Sequence, residues 1–206
     1  MALALSCRLW TQIQNLMQRP AYKAKLAKER EEEQVILEFV EEMCDLQHRL
    51  GGIYLIENPA GAASWRQRPL ERLLRRSHTR QATSHLCMFG VKNPTTKEPL
   101  KKTVRFVSNS QELMKEITRR CSGRHVHGNM FRMTTKQKEA TGFYTRALAQ
   151  AIIRGVEKHY WKRQAEEQEA FPAEDVDMDA EAQLPEDQLH EEPDLDGEEP
   201  VEAGQQ

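Results

Sequence analysis

Gly51-Gly52-Ile53-Tyr54-Leu55-Ile56-Glu57-Asn58-Pro59 decides the reading of this 206-residue chain. The two glycines stop a helical pattern, and the apolar run 53–56 carries no polar alternation. Such a run predicts a strand covered by helices on both faces, central and parallel in its sheet. Glu57 closes the run, Pro59 pins it, and the small-residue loop Ala60-Gly61-Ala62-Ala63-Ser64-Trp65 follows. A carboxylate there stands where open α/β sheets place their ligands.

Working outward, Val35, Ile36, Phe39, Val40, Met43, Leu46 and Leu50 recur at three- and four-residue steps, which predicts one long amphipathic helix over residues 22–50. Before it, the short apolar run 2–5 predicts a strand, with Cys7 just beyond its end. Strand, helix and strand make a βαβ unit that brings Cys7, a nucleophile candidate, and Glu57, an acid candidate, to one sheet edge. Downstream, a helix is expected over 70–76 from Pro69 and a short strand over 85–90 ending at Gly90. Residues 103–107 alternate as a strand, and Ser108-Asn109-Ser110 supplies caps for a helix over 111–120. Gly123 and Gly128 bracket a loop, and a last helix is expected over 142–161 with Phe143, Leu148, Ile152 and Val156 as its stripe. The fold class is α/β, a partial Rossmann-like sheet with flanking helices.

Charge divides the chain. All 30 Lys and Arg fall within residues 1–163, together with 15 of the 32 acids, whereas residues 164–206 hold 17 acids and no Lys or Arg. A net basic body of 1–163 and an acidic tail of 164–206 are the expected domains. The tail has few large apolar residues and contains Pro172, Pro185, Pro193 and Pro200, so it is expected to be disordered. It serves solubility, or contacts the basic body or a basic partner. The body's excess exceeds what solubility requires and points to DNA or another nucleic acid. Its cations cluster at Arg66, Arg68, Arg72, Arg75, Arg76 and Arg80, then at Lys97, Lys101, Lys102, Arg105, Arg119, Arg120 and Arg124. Trp65, beside Arg66, is a candidate platform for an extruded base. No apolar stretch nears the ~18 residues of a membrane span. The N-terminal run is too short and too early for a secretory signal, and organelle targeting is not expected. Cys7, Cys44, Cys87 and Cys121 lack regular spacing, which fits a reduced intracellular compartment, nuclear or cytoplasmic.

Two constellations carry chemistry. A thiolate that adds to C6 of cytosine creates an enamine whose C5 attacks a methyl donor, while a carboxyl near N3 holds the base. Cys7 and Glu57 suit those parts, with the base flipped between them; a small core cysteine and a capping glutamate are the competing readings. The second set is His85, Cys87, Cys121, His125 and His127. His-x-Cys with Cys-x-x-x-His-x-His offers enough ligands for tetrahedral zinc, and strand alternation would turn His85 and Cys87 to one side. The alternative is a core cysteine with surface histidines near phosphate.

These residues resemble the DNA cytosine-5 methyltransferases. Ser6-Cys7 stands where that family's nucleophile loop has Pro-Cys, and Glu57-Asn58-Pro59 where it has Glu-Asn-Val. Ser64-Trp65 looks like the Ser-x-x-Trp element of the phage and algal branch. Cys87-Met88-Phe89-Gly90 and Lys101-Lys102-Thr103-Val104-Arg105-Phe106 look like the stretch whose basic residues meet DNA. The pattern over about residues 2–157, Cys121-x-x-x-His125-x-His127 included, is similar to methyltransferase-like segments in retrotransposon polyproteins of dinoflagellate algae. The resemblance implies Cys7 and Glu57 as the catalytic pair, and Asn58, Trp65, Arg66, Lys101, Lys102 and Arg105 as base or DNA contacts. S-adenosylmethionine is the parent family's methyl donor, bound at a Gly-rich turn upstream of the nucleophile loop. Only six residues precede Cys7, so the chain reads as the C-terminal half of such a domain, a DNA-binding relic or fragment inactive alone, with no cofactor of its own. Two other functions stay open: a nucleic-acid-binding or structural segment of a mobile-element polyprotein, and a zinc-stabilised interaction module.

Overall fold

The computed structural model describes residues 1–5, 8–11, 14, 16 and 19–170. Cys7 and the tail from residue 171 lie outside the described residues. A four-stranded sheet runs in the order β1 (Ala2–Ala4), β2 (Leu55–Pro59), β4 (Thr103–Ser108), β3 (Arg80–His85). β1 pairs parallel with β2, and β4 pairs antiparallel with both β2 and β3. The class is therefore α/β with a mixed sheet, and β2 is central and parallel to β1 as expected. The strand order and the direction of β4 depart from an all-parallel sheet.

Several boundaries move, each for a local reason. β2 begins at Leu55 and runs through Glu57 and Asn58 to Pro59, so Glu57 sits inside the strand rather than at its end. The expected helix over 22–50 is α1 (Pro20–Glu32) followed by α2 (Gln34–Arg49), separated only at Glu33, whose backbone stays helical. α3 (Arg68–Leu74) starts with Pro69 in its first turn, where a missing N–H costs nothing. The expected strand over 85–90 is instead the end of β3 at His85 followed by a 3-10 turn, Leu86–Phe89, closed by Gly90 at φ 80°. α4 (Gln111–Ile117) is capped by the Ser110 hydroxyl, which accepts from the Leu113 N–H at 3.1 Å. A short α5 (Thr135–Ala140) precedes α6 (Arg146–Ala170). α6 passes the expected domain boundary at 163 because Lys162–Glu166 (3.6 Å) and Arg163–Glu167 (3.0 Å) link successive turns across it. Met1–Ala170 thus forms one unit.

Alternation along the strands builds two cores. Tyr54, Ile56 and Val107 face α2 and α3, packing with Leu37, Val40, Cys44, Leu70 and Leu73. Ile53, Leu55, Val104 and Phe106 face the other way, against Leu113, Ile117, Leu148 and Ala151 of α4 and α6. Helices α4 and α6 approach so closely that a Cβ on Gly155 would lie 2.6 Å from the Leu113 Cα, which is why glycine occupies that helical position. Between α2 and α3, the Arg72 Nε donates to the buried Glu41 carboxylate at 2.9 Å, and Arg76 pairs with Asp45 at 2.6 Å.

Candidate functional site

The four side chains of the metal candidate come from two places. Cys87 sits in the 3-10 turn after β3, and Cys121, His125 and His127 in the loop after α4. Their ligand atoms all lie within 4.8 Å of one another. The Cys121 Sγ stands 3.6 Å from the His125 Nε2 and 3.5 Å from the His127 Nε2. A tetrahedron built on Zn–S and Zn–N bonds of about 2.3 and 2.1 Å has edges near ~3.5 Å, so the spacing suits a four-coordinate ion. The Gly123 N–H points at the Cys121 Sγ at 3.3 Å. Burial first, and the neighbouring Cys121 second, push the Cys87 thiol up, a cost to its thiolate that a bound cation would offset. The His127 imidazole is held below its ordinary value by burial, then by His125 and Lys101, a shift toward the neutral, ligating form.

His85 stands outside this set, a correction to its reading as a ligand. Its Nδ1 accepts the Cys121 backbone N–H at 2.8 Å. The reason lies in the chain path: β3 ends at His85, so strand alternation does not reach Cys87. His85 fixes the loop that bears Cys121, helped by its own N–H and the Ser84 hydroxyl, which donate to the Arg119 carbonyl at 2.9 and 3.1 Å. Burial, then Lys101, Arg120 and His127, lower its pKa.

Cations surround the cluster. Lys101, Arg120 and Arg124 are exposed, with no acidic partner among the described residues. Arg119 lies over the Phe89 ring, 4.6 Å from its centroid. Residues 80–146 hold fourteen Lys and Arg against four acids, and two of those acids, Glu112 and Glu116, already pair with Lys115, Arg154 and Lys158. The cluster at 66–80 is less free than its composition suggests, because Arg72 and Arg76 are engaged by Glu41 and Asp45.

The base-pocket residues do not converge. Glu57 lies opposite Phe106 and Asn58 opposite Arg105, on alternate faces of the sheet. Asn58 is buried and its Nδ2 donates to the Ser64 Oγ at 2.8 Å, while Trp65 is buried and its Nε1 donates to the Pro59 carbonyl at 2.9 Å. Arg105 covers the Trp65 ring at 5.2 Å. Trp65 is thus a wedge in the turn after β2, closed to a base, and Arg66 beside it is exposed. On the other face, half-buried Glu57 has no hydrogen-bond partner among the described residues. Burial raises its carboxyl above the ordinary range, and Lys102 partly offsets this. The Tyr144 phenol is pushed up to about 12 by burial and then by the Glu57 charge. Lys102 also donates to the Thr141 carbonyl at 3.2 Å. Nothing in the sequence marked Tyr144, 87 positions away in a loop. Cys7 lies outside the described residues; within β1 it is Ala4 that pairs with Glu57.

After β2, the N–H groups of Ala60, Ala62 and Ala63 donate to the carbonyls of Thr103, Pro59 and Trp10, which fixes the small-residue loop against β4 and the N-terminal segment. The cluster of Cys87, Cys121, His125 and His127, weakly compatible with zinc, is the site that the geometry assembles. Comparison with protein-family models, with curated proteins and with solved structures finds no match to the chain.

Proposed function

We propose that residues 1–170 are a nucleic-acid-binding domain on a scaffold resembling half of a cytosine-5 methyltransferase, in which zinc held by Cys87, Cys121, His125 and His127 organises the contact surface. The observation that carries it is the excess of cations around those ligands, with exposed Lys101, Arg120 and Arg124 lacking acidic partners among the described residues. Exposed lysines and arginines without acidic partners suit a phosphate backbone, and the loop that displays Arg120 and Arg124 is closed by three of its own ligands and by Cys87. The ion's part is structural: it ties the loop after α4 to the turn after β3. His85 orients Cys121 from outside the coordination set. Fluorescence anisotropy with a labelled duplex tests this. Affinity should fall with salt by a log–log slope of about −0.9 per phosphate contacted. Lys101→Glu with Arg120→Glu should weaken binding about 10-fold or more, and an affinity insensitive to both salt and these changes would overturn the reading.

Glu57 favours a second reading, a residual base-holding carboxylate. A carboxyl whose pKa is raised by burial holds its proton more readily, which suits the ring-nitrogen edge of cytosine. DNA carrying 5-fluorocytosine, incubated with S-adenosylmethionine, should form no covalent adduct with this chain; an adduct lost on Cys7→Ala would make it a methyltransferase.

A further inference from the structure

Helix α2 is apolar on two sides. Leu37, Val40 and Cys44 are buried against the sheet. On another side Val35, Ile36, Phe39, Leu46 and Leu50 are 65, 51, 54, 38 and 75% exposed. From Ile36 the steps run three, four, three, four through Phe39, half-buried Met43, Leu46 and Leu50. At 100° per residue these five project within an arc of about 80°, on a side of the helix next to the buried face and distinct from it. A stripe of this period is a seam for a second helix.

We propose that this seam pairs with the same seam of a second copy of the chain, antiparallel about a two-fold axis beside Asp45. In that register Phe39 of each copy packs near Leu50 of the other, and Met43 near Leu46. Charge selects a second copy over an unrelated partner. Glu42 and Arg49 lie one heptad apart on the same flank of the stripe, and neither has an ionic partner among the described residues. An antiparallel pair brings each Glu42 to the other copy's Arg49, twice over, so the seam complements itself. The five exposed side chains offer on the order of 500 Å² of apolar surface per copy, enough for the core of an interface that buries about 800 Å² per partner.

Light scattering coupled to gel filtration of the full chain tests the proposal. The expected mass is twice the 23.9 kDa of one chain at about 100 μM. Phe39→Glu and Leu46→Glu, both at exposed positions, should each yield monomers with unchanged far-UV circular dichroism. Glu42→Arg should weaken the dimer about 10-fold, and adding Arg49→Glu should restore it. A wild-type monomer at 100 μM overturns the proposal. So does a dimer that survives both glutamate substitutions. A monomer whose apolar-dye binding is lost in Phe39→Glu would assign the face to a different partner and equally reject a second copy.

Discussion

At the residue scale, the metal site and the carboxylate make separate predictions. Cys121→Ser should abolish the one zinc per chain expected by colorimetric release. If zinc stands near a thousandfold over its Kd, losing it should lower Tm by roughly 10 °C. His85→Ala should keep the stoichiometry and weaken affinity by about 10- to 100-fold, since it orients a ligand rather than being one. Equal losses for both variants would restore His85 to the coordination set. For Glu57, burial raises the folded-state pKa. The folded state therefore holds its proton more tightly than the unfolded state, and stability falls as pH rises from the ordinary glutamate value through the raised one. Glu57→Gln should thus raise Tm by about 2–4 °C at pH 7 and leave it unchanged near pH 4. A destabilised variant at pH 7 would show that the ionised carboxylate makes a favourable contact. The spacing Cys121-x-x-x-His125-x-His127 made three members of the candidate cluster legible in the sequence. The part played by His85 was not legible, because it depends on where β3 ends. Tyr144 and Lys102 meet Glu57 only through the tertiary fold.

Elements tell a similar story. Ser110 as a cap, Pro69 in the first turn of α3 and β2 beside β1 were all readable from local pattern. β3 was not, because Arg80-Gln81-Ala82-Thr83-Ser84-His85 contains no large aliphatic residue, as an edge strand with one solvated side permits. Nor does local pattern specify that β4 enters between β2 and β3 running against both. The closest helix pair gives a sharp test. Gly155→Ala would gain up to about 1 kcal/mol of helix propensity. It would also press a methyl against the Leu113 backbone at 2.6 Å, a contact no side-chain rotation relieves. The clash should win, with net destabilisation of about 1–3 kcal/mol in urea unfolding. A neutral or stabilised variant would mean that α4 and α6 can separate freely.

At the scale of the whole molecule, composition carried the main message and hid it as well. The formal net charge is −2, yet the fourteen cations of residues 80–146 face only four acids, and residues 171–206 contain fourteen acids and no Lys or Arg. If the acidic segment competes for the basic surface, deleting residues 171–206 should tighten DNA binding at low salt and matter less above about 0.3 M, where screening is short-ranged. Unchanged affinity at low salt would leave the segment a solubilising role. The metal cluster and the cations around it are expected to act together, the ion holding the loop that bears Arg120 and Arg124. The direct measurement is duplex-DNA affinity of the zinc-loaded full chain against the same chain stripped of metal by chelator and dialysed free of it. Metal removal should weaken binding at least about 10-fold, and restored zinc should recover it, because the loop bearing Arg120 and Arg124 loses its closure. Equal affinity in the two states, with zinc shown to be bound in one and absent from the other, would contradict the proposal that zinc organises the contact surface.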